Sequence, residues 1–234
     1  ATDDGKEGGI TTLSSLEINK LLLAPYKTAV REDVGAIMAS FNTIDSLPMH
    51  AHRAWITDTL KNKLQFNGIV ISDWKGYSKF GQEDIINAGV DMVMAVDGDL
   101  DFFQSDLKKA VENGTVSQDR IDNAVRRILR QKYKLGLFEN PFPDTTLTKT
   151  IGSTEHRTVA RKAVRESLVL LKNDAILPLN KNTQKIIVVG EHANNSGLQS
   201  GGWTIHWQGT DTSYKGSTTI LQGIKNQSHG QVIY

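Results

Sequence analysis

Ile69-Val-Ile-Ser-Asp-Trp-Lys-Gly-Tyr77 is the stretch that decides the fold class, because its apolar, β-branched run stops abruptly at a carboxylate and an indole. Such a run is typical of a strand that is buried on both faces of a parallel sheet. Functional groups of parallel α/β folds collect where strands end, so Asp73 and Trp74 form a candidate site. An Asp in this position also makes turns or caps helices. The flat apolar face of Trp74 favours the interpretation as a binding site over that of a turn or cap, because it offers a surface for stacking.

An alternation of helices and strands extends on both sides of this stretch. The predicted elements are a helix from Ser14 to Arg31, a strand over 36–41, a helix over 55–64, the strand that ends before Asp73, a helix over 83–87 that stops at Gly89, and a strand over 90–95. Short connections between such units imply right-handed crossovers and a parallel sheet, either a barrel or a doubly wound layer.

A second group of elements follows a basic helix that is predicted from Ser117 to Leu135. We interpret the bases near its C-terminal end as a solvated face that complements the helix dipole. The segment 138–146 contains two prolines and no periodicity, which predicts a linker and a domain boundary within 138–152. Beyond it we expect a buried strand over 185–190 and a helix over 155–172. The predicted buried stripe of that helix is Ala160, Val164, Leu168 and Leu171.

Composition excludes several classes of protein. The 234 residues are 38% hydrophobic, and 27 basic against 26 acidic residues give a net charge of +1, so we expect neither a nucleic-acid nor a membrane partner. The absence of cysteine excludes disulfides and thiolate catalysis. His50 and His52 lack a third ligand at useful spacing, so we predict no metal site. Both ends of the chain resemble interior sequence, and we expect a piece of a longer protein.

A glycine-rich loop, Gln199–Gly209, carries Trp203 and Trp207. Exposed indoles in such a loop need a partner that covers them, and stacking on a pyranose ring would supply one. Packing between two domains is the alternative, and the two roles are compatible. A nucleotide site is disfavoured, because the glycines after Gly190 match neither the dinucleotide fingerprint nor a P-loop.

Five runs in chain order resemble glycoside hydrolase family 3, particularly its β-glucosidases and exo-β-glucanases. They are Ile71-Ser-Asp-Trp74, Ala88-Gly-Val-Asp-Met92, Gly136-Leu-Phe-Glu139, Ser167-Leu-Val-Leu-Leu-Lys-Asn173 and Gly201-Gly-Trp-Thr-Ile-His-Trp-Gln-Gly209. The resemblance implies an α/β chain in which residues 1–138 are the second half of a (β/α)8 barrel. Residues 139–152 would be a linker, and residues 153–234 would begin an α/β sandwich domain.

The resemblance also implies roles for individual residues. Asp73 matches the catalytic nucleophile of a retaining mechanism with a covalent glycosyl-enzyme intermediate. Trp74 and Trp207 match the clamp around the sugar of the next subsite, with Trp203 nearby, and Met94 matches a pocket-lining position. The family's Lys-His substrate motif and its acid/base Glu would lie outside this chain. The other segments of the same enzyme are therefore expected partners.

The function implied is that of a retaining β-glucosidase or exo-β-glucanase, which acts on oligo- or polysaccharides without a cofactor. The alternatives are a family-3 β-xylosidase or N-acetylglucosaminidase, and a non-catalytic carbohydrate-binding or scaffold piece. Asn113-Gly-Thr115, Asn194-Asn-Ser196 and Asn226-Gln-Ser228 are sequons for N-glycosylation. Together with the substrate class, they predict an extracellular, lysosomal or periplasmic location.

Overall fold

The computed structural model describes residues 2–96 and 99–234. The chain divides between Thr146 and Leu147 into two compact units. This point lies inside the stretch in which the sequence predicts the linker. None of the helices in the described residues is both long and apolar enough to cross a membrane.

The first unit combines short strands with longer helices. Its strands are β1 (Ile10–Thr11), β2 (Ala36–Met38), β3 (Thr43–Ile44), β4 (Leu47–Pro48) and β5 (Ile69–Ile71). Its helices are α1 (Ser15–Glu17), α2 (Leu23–Arg31), α3 (Gly76–Phe80), α4 (Gln82–Ala88), α5 (Asp99–Glu112) and α6 (Gln118–Lys134). Ile18–Leu22 and Ala54–Lys63 are π-helical, and Asp3–Gly5 and Met49–Ala51 form 3-10 turns. A further 3-10 turn, Thr145–Thr150, spans the boundary between the two units.

The parallel pairing predicted from the sequence is confirmed around β5. β2 and β5 are parallel, with Ala36 opposite Ile69 and Met38 opposite Ile71. On the other side of β5, Ile71 forms an isolated parallel bridge with Met92. The strands predicted over 36–41 and 90–95 are therefore too long, because strand pairing covers only Ala36–Met38 in the first and only Met92 in the second.

The core of the first unit lies beneath β5 and the helices around it. Its central side chains are buried apolar groups contributed by strands, helices and the loops between them, namely Phe66, Val70, Ile85, Val90 and Val116. Ile56 and Leu60 enter the same core from the π-helical segment, as the spacing of the sequence predicts. The capping box of Ser14 and Glu17 is present as well, and it fixes where the first helical segment begins.

A hairpin precedes the candidate site in the chain. β3 and β4 are antiparallel, and the residues between them, Asp45 and Ser46, have φ values of 50° and 65°. Two consecutive left-handed residues are the signature of a type I′ turn, whose twist matches that of the strands. The hairpin leads directly into the Met49–Ala51 turn, which carries His50.

A buried charge cluster lies at the start of β5. Asp91 accepts hydrogen bonds from Lys61 Nζ at 2.7 Å, from Arg120 Nη2 at 2.5 Å and from the Val70 amide at 2.9 Å. Arg127 lies beside it and donates to the carbonyls of Phe66 and Gly68 at 2.7 and 2.9 Å. The expectation of a wholly solvated basic face on this helix is therefore wrong for Arg127, which fastens the loop before β5.

The second unit contains α7 (Thr154–Ser167), β6 (Lys185–Ile187), α8 (Ser196–Ser200), α9 (Ile220–Gln227) and β7 (Gln231–Ile233), with a 3-10 turn at Glu191–Asn194. β6 and β7 are parallel. α7 is capped by Ser153 as predicted, but it ends at Ser167, where Leu168 turns extended. The helix predicted over 155–172 is therefore too long, and its predicted buried stripe is exposed at Ala160, Val164, Leu168 and Leu171.

Candidate active site

Asp73 lies two residues beyond β5, at the carboxyl end of the parallel strands. Its backbone carbonyl accepts from Ser72 Oγ at 2.9 Å and from the Gly76 amide at 3.0 Å. Its carboxylate Oδ1 accepts the amide of Trp74 at 2.7 Å. The chain makes a tight turn directly after Trp74, where Lys75 has a φ of 56°. Asp73 is partly exposed. Its carboxylate is therefore held by the turn and is still accessible to a ligand.

His50 is the buried neighbour of Asp73. Its Nε2 accepts the backbone amide of Asp73 at 2.9 Å. Its ring forms a cluster with Phe41 and Phe80 at centroid distances of 5.7 and 4.8 Å, and the two phenyl centroids are 5.8 Å apart. Burial lowers the pKa of His50, while the Asp73 carboxylate and the Ser40 backbone raise it and Lys79 lowers it further. An imidazole in this environment is neutral near pH 7.

Lys79 lies over the two phenylalanine rings of this cluster. Lys79 Nζ lies 4.2 Å from the centroid of the Phe41 ring and 5.2 Å from that of Phe80. A cation over two ring faces is stabilised by their quadrupoles. The site therefore combines a carboxylate, a neutral imidazole and an ammonium group on one end of the sheet.

Met94 is tied to the same end of the sheet. Its backbone amide donates to Ser72 Oγ at 2.8 Å, and the Ser72 amide donates to the Met92 carbonyl at 2.9 Å. Ser72 is fully buried, so it connects the residue before Asp73 to the segment that carries Met94. Trp74 is 57% exposed, which leaves part of its indole free for a planar or apolar ligand.

The glycine-rich loop belongs to the second unit. The Trp203 amide donates to the Trp207 carbonyl at 3.1 Å, and the Tyr214 hydroxyl donates to the Thr204 carbonyl at 2.8 Å. Trp203 and Ile205 have φ values of 62° and 63°, which are costly for bulky side chains. Trp203 is 85% and Trp207 63% exposed. The loop therefore has a constrained backbone that presents both indoles outward.

Sequence reasoning finds Asp73, Trp74 and Met94 in this region, but it misses Phe80 and Lys79 and considers His50 only as a metal ligand. Among residues 2–96 and 99–234, no three His, Asp or Glu side chains come together in a group that could hold a metal ion. The aromatic and basic residues that follow Trp74 in the sequence are the one signal that could have pointed to Phe80 and Lys79.

Comparison with known families adds to this geometry. Residues 1–131 match the model of the glycosyl hydrolase family 3 N-terminal domain, and residues 168–231 match that of its C-terminal domain. The chain belongs to glycoside hydrolase family 3. Its α/β fold is accordingly of the kind found in family 3 enzymes, as the five sequence runs indicated.

Similar proteins span a range of sources. The chain is 35% identical to a lysosomal β-glucosidase of Dictyostelium discoideum, with 94% of this chain and 29% of that protein covered. It is 31% identical to a periplasmic β-glucosidase of Salmonella typhimurium, with 97% and 31% covered. The solved exo-1,3/1,4-β-glucanase of a Pseudoalteromonas species superposes with a TM-score of 0.90 at 35% identity, covering 99% of this chain and 31% of that one. This family 3 chain therefore spans less than a third of these relatives.

Proposed function

We propose that this chain is the nucleophile-bearing part of a retaining β-glucosidase or exo-β-glucanase that releases glucose from non-reducing ends. The observation that carries the proposal is Asp73, a partly exposed carboxylate held by backbone hydrogen bonds at the carboxyl end of parallel strands. A retaining glycosidase needs such a fixed carboxylate, which attacks the anomeric carbon and forms a glycosyl ester. The names of the similar proteins support the hydrolysis of β-linked glucose.

Substrate contacts follow from the exposed aromatic groups. Trp74, Trp203 and Trp207 offer indole faces that suit a pyranose ring. Met94, whose backbone amide donates to Ser72 Oγ, would line the pocket next to that residue. A sugar ring has an apolar face of C–H groups, so stacking removes apolar surface on both partners from water. The substrate in this proposal is an oligo- or polysaccharide with β-linked glucose at its end.

The proposal includes the other segments of the same enzyme. Residues 1–138 would form the second half of a (β/α)8 barrel, 139–152 a linker, and 153–234 the start of a sandwich domain. Support comes from exposed apolar side chains on a strand, on the segment after α7 and just beyond β6, namely Met38, Leu171 and Val189. Surfaces of this kind are covered in a stable protein, and the remaining segments would cover them and supply the acid/base Glu.

The location proposed is outside the cytoplasm, with the protein secreted or held in a lysosome or periplasm. The named locations of two similar proteins support this, and the three sequons would make it a glycoprotein in a eukaryotic source. Asn113 is exposed in the turn between α5 and α6, where an attached glycan would meet little steric hindrance.

The test is an Asp73→Ala variant of the intact enzyme, expressed from the full reading frame that contains this chain. With 2,4-dinitrophenyl β-D-glucopyranoside, whose leaving group needs no acid, turnover should fall by several orders of magnitude. Azide should restore part of it, because azide can attack the anomeric carbon that the missing carboxylate leaves open. The product of this single inversion would be α-glucosyl azide.

Asp58→Ala is the matched control, since that carboxylate is exposed and its ion pair with Arg53 is long, at 4.0 Å. It should retain normal turnover. A folded Asp73→Ala enzyme with near-normal turnover would remove the nucleophile assignment. Comparing glucoside, xyloside and N-acetylglucosaminide substrates decides among the enzyme alternatives, and binding without hydrolysis of any of them would favour the non-catalytic role.

A further inference from the structure

Several contacts restrict the side chain of His50. It follows the β3–β4 hairpin, it is fully buried, and its ring packs against Phe41 and Phe80, which also contact each other. Gly76 lies close to the edge of the ring, because a Cβ at that position would lie 2.6 Å from His50 Nε2. Only a residue without a side chain allows α3 to start this close to the ring. These contacts and the hydrogen bond to Asp73 restrict the orientation of the imidazole.

The backbone of Asp73 is held at both of its peptide groups. Its carbonyl accepts from Ser72 and Gly76, while its amide donates to His50 Nε2 at 2.9 Å. β5 has ended at Ile71, so the sheet provides no ladder partner for this amide. Without His50, the amide would be a partly buried donor without an acceptor, which is unfavourable.

We propose that His50 is a positioning residue, which as a neutral imidazole accepts the Asp73 amide and thereby aims the Asp73 carboxylate. The inference rests on the proposed function of Asp73 as the nucleophile. Because Nε2 is the acceptor, the proton of the neutral ring is on Nδ1. Nδ1 is buried and has no hydrogen bond of regular geometry within the described residues.

Protonation would abolish this arrangement. An imidazolium carries N–H groups on both nitrogens, so Nε2–H would face the Asp73 N–H and the hydrogen bond would be lost. The charged groups that act on the ring are the Asp73 carboxylate, which favours protonation, and the Lys79 ammonium, which opposes it. Burial opposes protonation most strongly. His50 thus keeps its acceptor at neutral pH and loses it in acid.

Three variants of the intact enzyme test the proposal. His50→Leu removes the acceptor, and His50→Gln places an amide oxygen near the position of Nε2. His52→Leu is the matched control, because His52 is also buried but neither of its nitrogens has a hydrogen-bond partner in the part of the chain that is described. For each variant, kcat and KM with 4-nitrophenyl β-D-glucopyranoside are measured from pH 4 to 8, together with the melting temperature.

His50→Leu should lower kcat by about 10- to 100-fold, the scale of a misplaced reacting group, with little change in KM. His50→Gln should recover most of kcat, and its acid-side loss of kcat should move to lower pH because an amide does not titrate. His52→Leu should change neither kcat nor the acid-side profile. If His50→Leu does not fold, the kcat and pH profile of His50→Gln decide the question.

A folded His50→Leu enzyme with unchanged kcat would overturn the positioning role, as would a His50→Gln enzyme whose kcat falls as far as that of His50→Leu. So would a His50→Gln profile with the parental acid side. These failures are separate from failure of the proposed function. Asp73→Ala with normal turnover contradicts the nucleophile assignment, whereas an inactive Asp73→Ala beside a fully active His50→Leu contradicts only the role of His50.

Discussion

Replacing Asp91 with Asn should strongly destabilise the first unit. The Asp91 side chain is 0% exposed, and its partners Lys61 and Arg120 are 5% and 13% exposed. One carboxylate oxygen receives both cations and the other receives the Val70 amide. Asparagine keeps the shape and can still accept from Val70, but it leaves two buried cations without a counter-charge.

The expected cost follows from that burial. Removing one partner of a buried ion pair costs about 3–5 kcal/mol, because the other charge stays desolvated. At about 2–4 °C per kcal/mol for a domain of this size, the melting temperature should fall by about 6–20 °C. Asp33→Asn is the matched control, since Asp33 pairs with Lys134 at 2.6 Å but with side chains that are 72% and 43% exposed. An exposed pair is worth at most about 1 kcal/mol.

The loss in Asp91→Asn should also depend on pH. Burial lowers the pKa of Lys61 to about 8, although Asp91 raises it, so removal of the carboxylate lowers it further. The folded state then binds fewer protons than the unfolded state up to the unfolded pKa near 10.4, and stability rises with pH in that window. Thermal unfolding of the intact enzyme, followed by circular dichroism at pH 6 and pH 9, measures this. The reasoning would be refuted if Asp91→Asn lowered the melting temperature no more than Asp33→Asn does, or if this loss relative to the parent enzyme grew with pH.

Two further predictions concern binding and acid stability. Trp74→Ala and Trp207→Ala should each weaken the binding of a glucose-like inhibitor by about 1–3 kcal/mol, the value of burying one large apolar face. Calorimetry measures this, and unchanged affinity in Trp207→Ala would assign that indole to packing alone. Burial lowers the pKa of His52, while Asp45 raises it. The contribution of neutral His52 to the stability of the fold is therefore fully present above pH ~6.5, the ordinary pKa of histidine, and is lost as the pH falls towards the pKa of the folded state. His52→Leu should flatten that fall in urea unfolding at pH 5 and pH 7, and an equally acid-sensitive variant would contradict this.

The sequence predicts the elements whose causes are local. The β-branched run before Asp73 forms β5, the Ser14 and Glu17 box caps the first helical segment, and Gly89 ends α4 with a φ of 115°. Each of these depends on residues within one turn of each other. Such signals are present in the sequence whatever the rest of the chain does.

The prediction fails where one local pattern fits two structures. The apolar run from Leu168 to Leu171 suits a helical stripe and equally a strand, and periodicity alone cannot separate them over so few residues. The backbone at Leu168 is extended, with ψ of 131°. The spacing of Ile56 and Leu60 likewise predicts a helix but not its π-helical hydrogen bonds, which depend on the packing of that segment.

The roles of His50 and Asp91 are beyond sequence reasoning for a different reason. His50 meets an amide 23 positions later, and Asp91 meets cations 30 positions before it and 29 after it. The type I′ turn of the β3–β4 hairpin and the helix crossovers create these meetings. The sequence around a histidine or an aspartate does not indicate which distant backbone amide it will bind.

Side-chain acceptors hold the backbone at both ends of β5, the strand that precedes the proposed nucleophile. At its start, the amide of Val70 donates to Asp91, and beyond its end the amide of Asp73 donates to His50. In both places a buried side chain accepts an amide hydrogen bond beside the strand. The two anchors differ in consequence. Asp91 neutralises buried cations, so its loss should appear as unfolding, whereas His50 is neutral and contacts the proposed nucleophile. Replacing His50 should therefore lower kcat more clearly than it lowers the melting temperature. A lower melting temperature with unchanged kcat would mean that the imidazole contributes only to packing of the core.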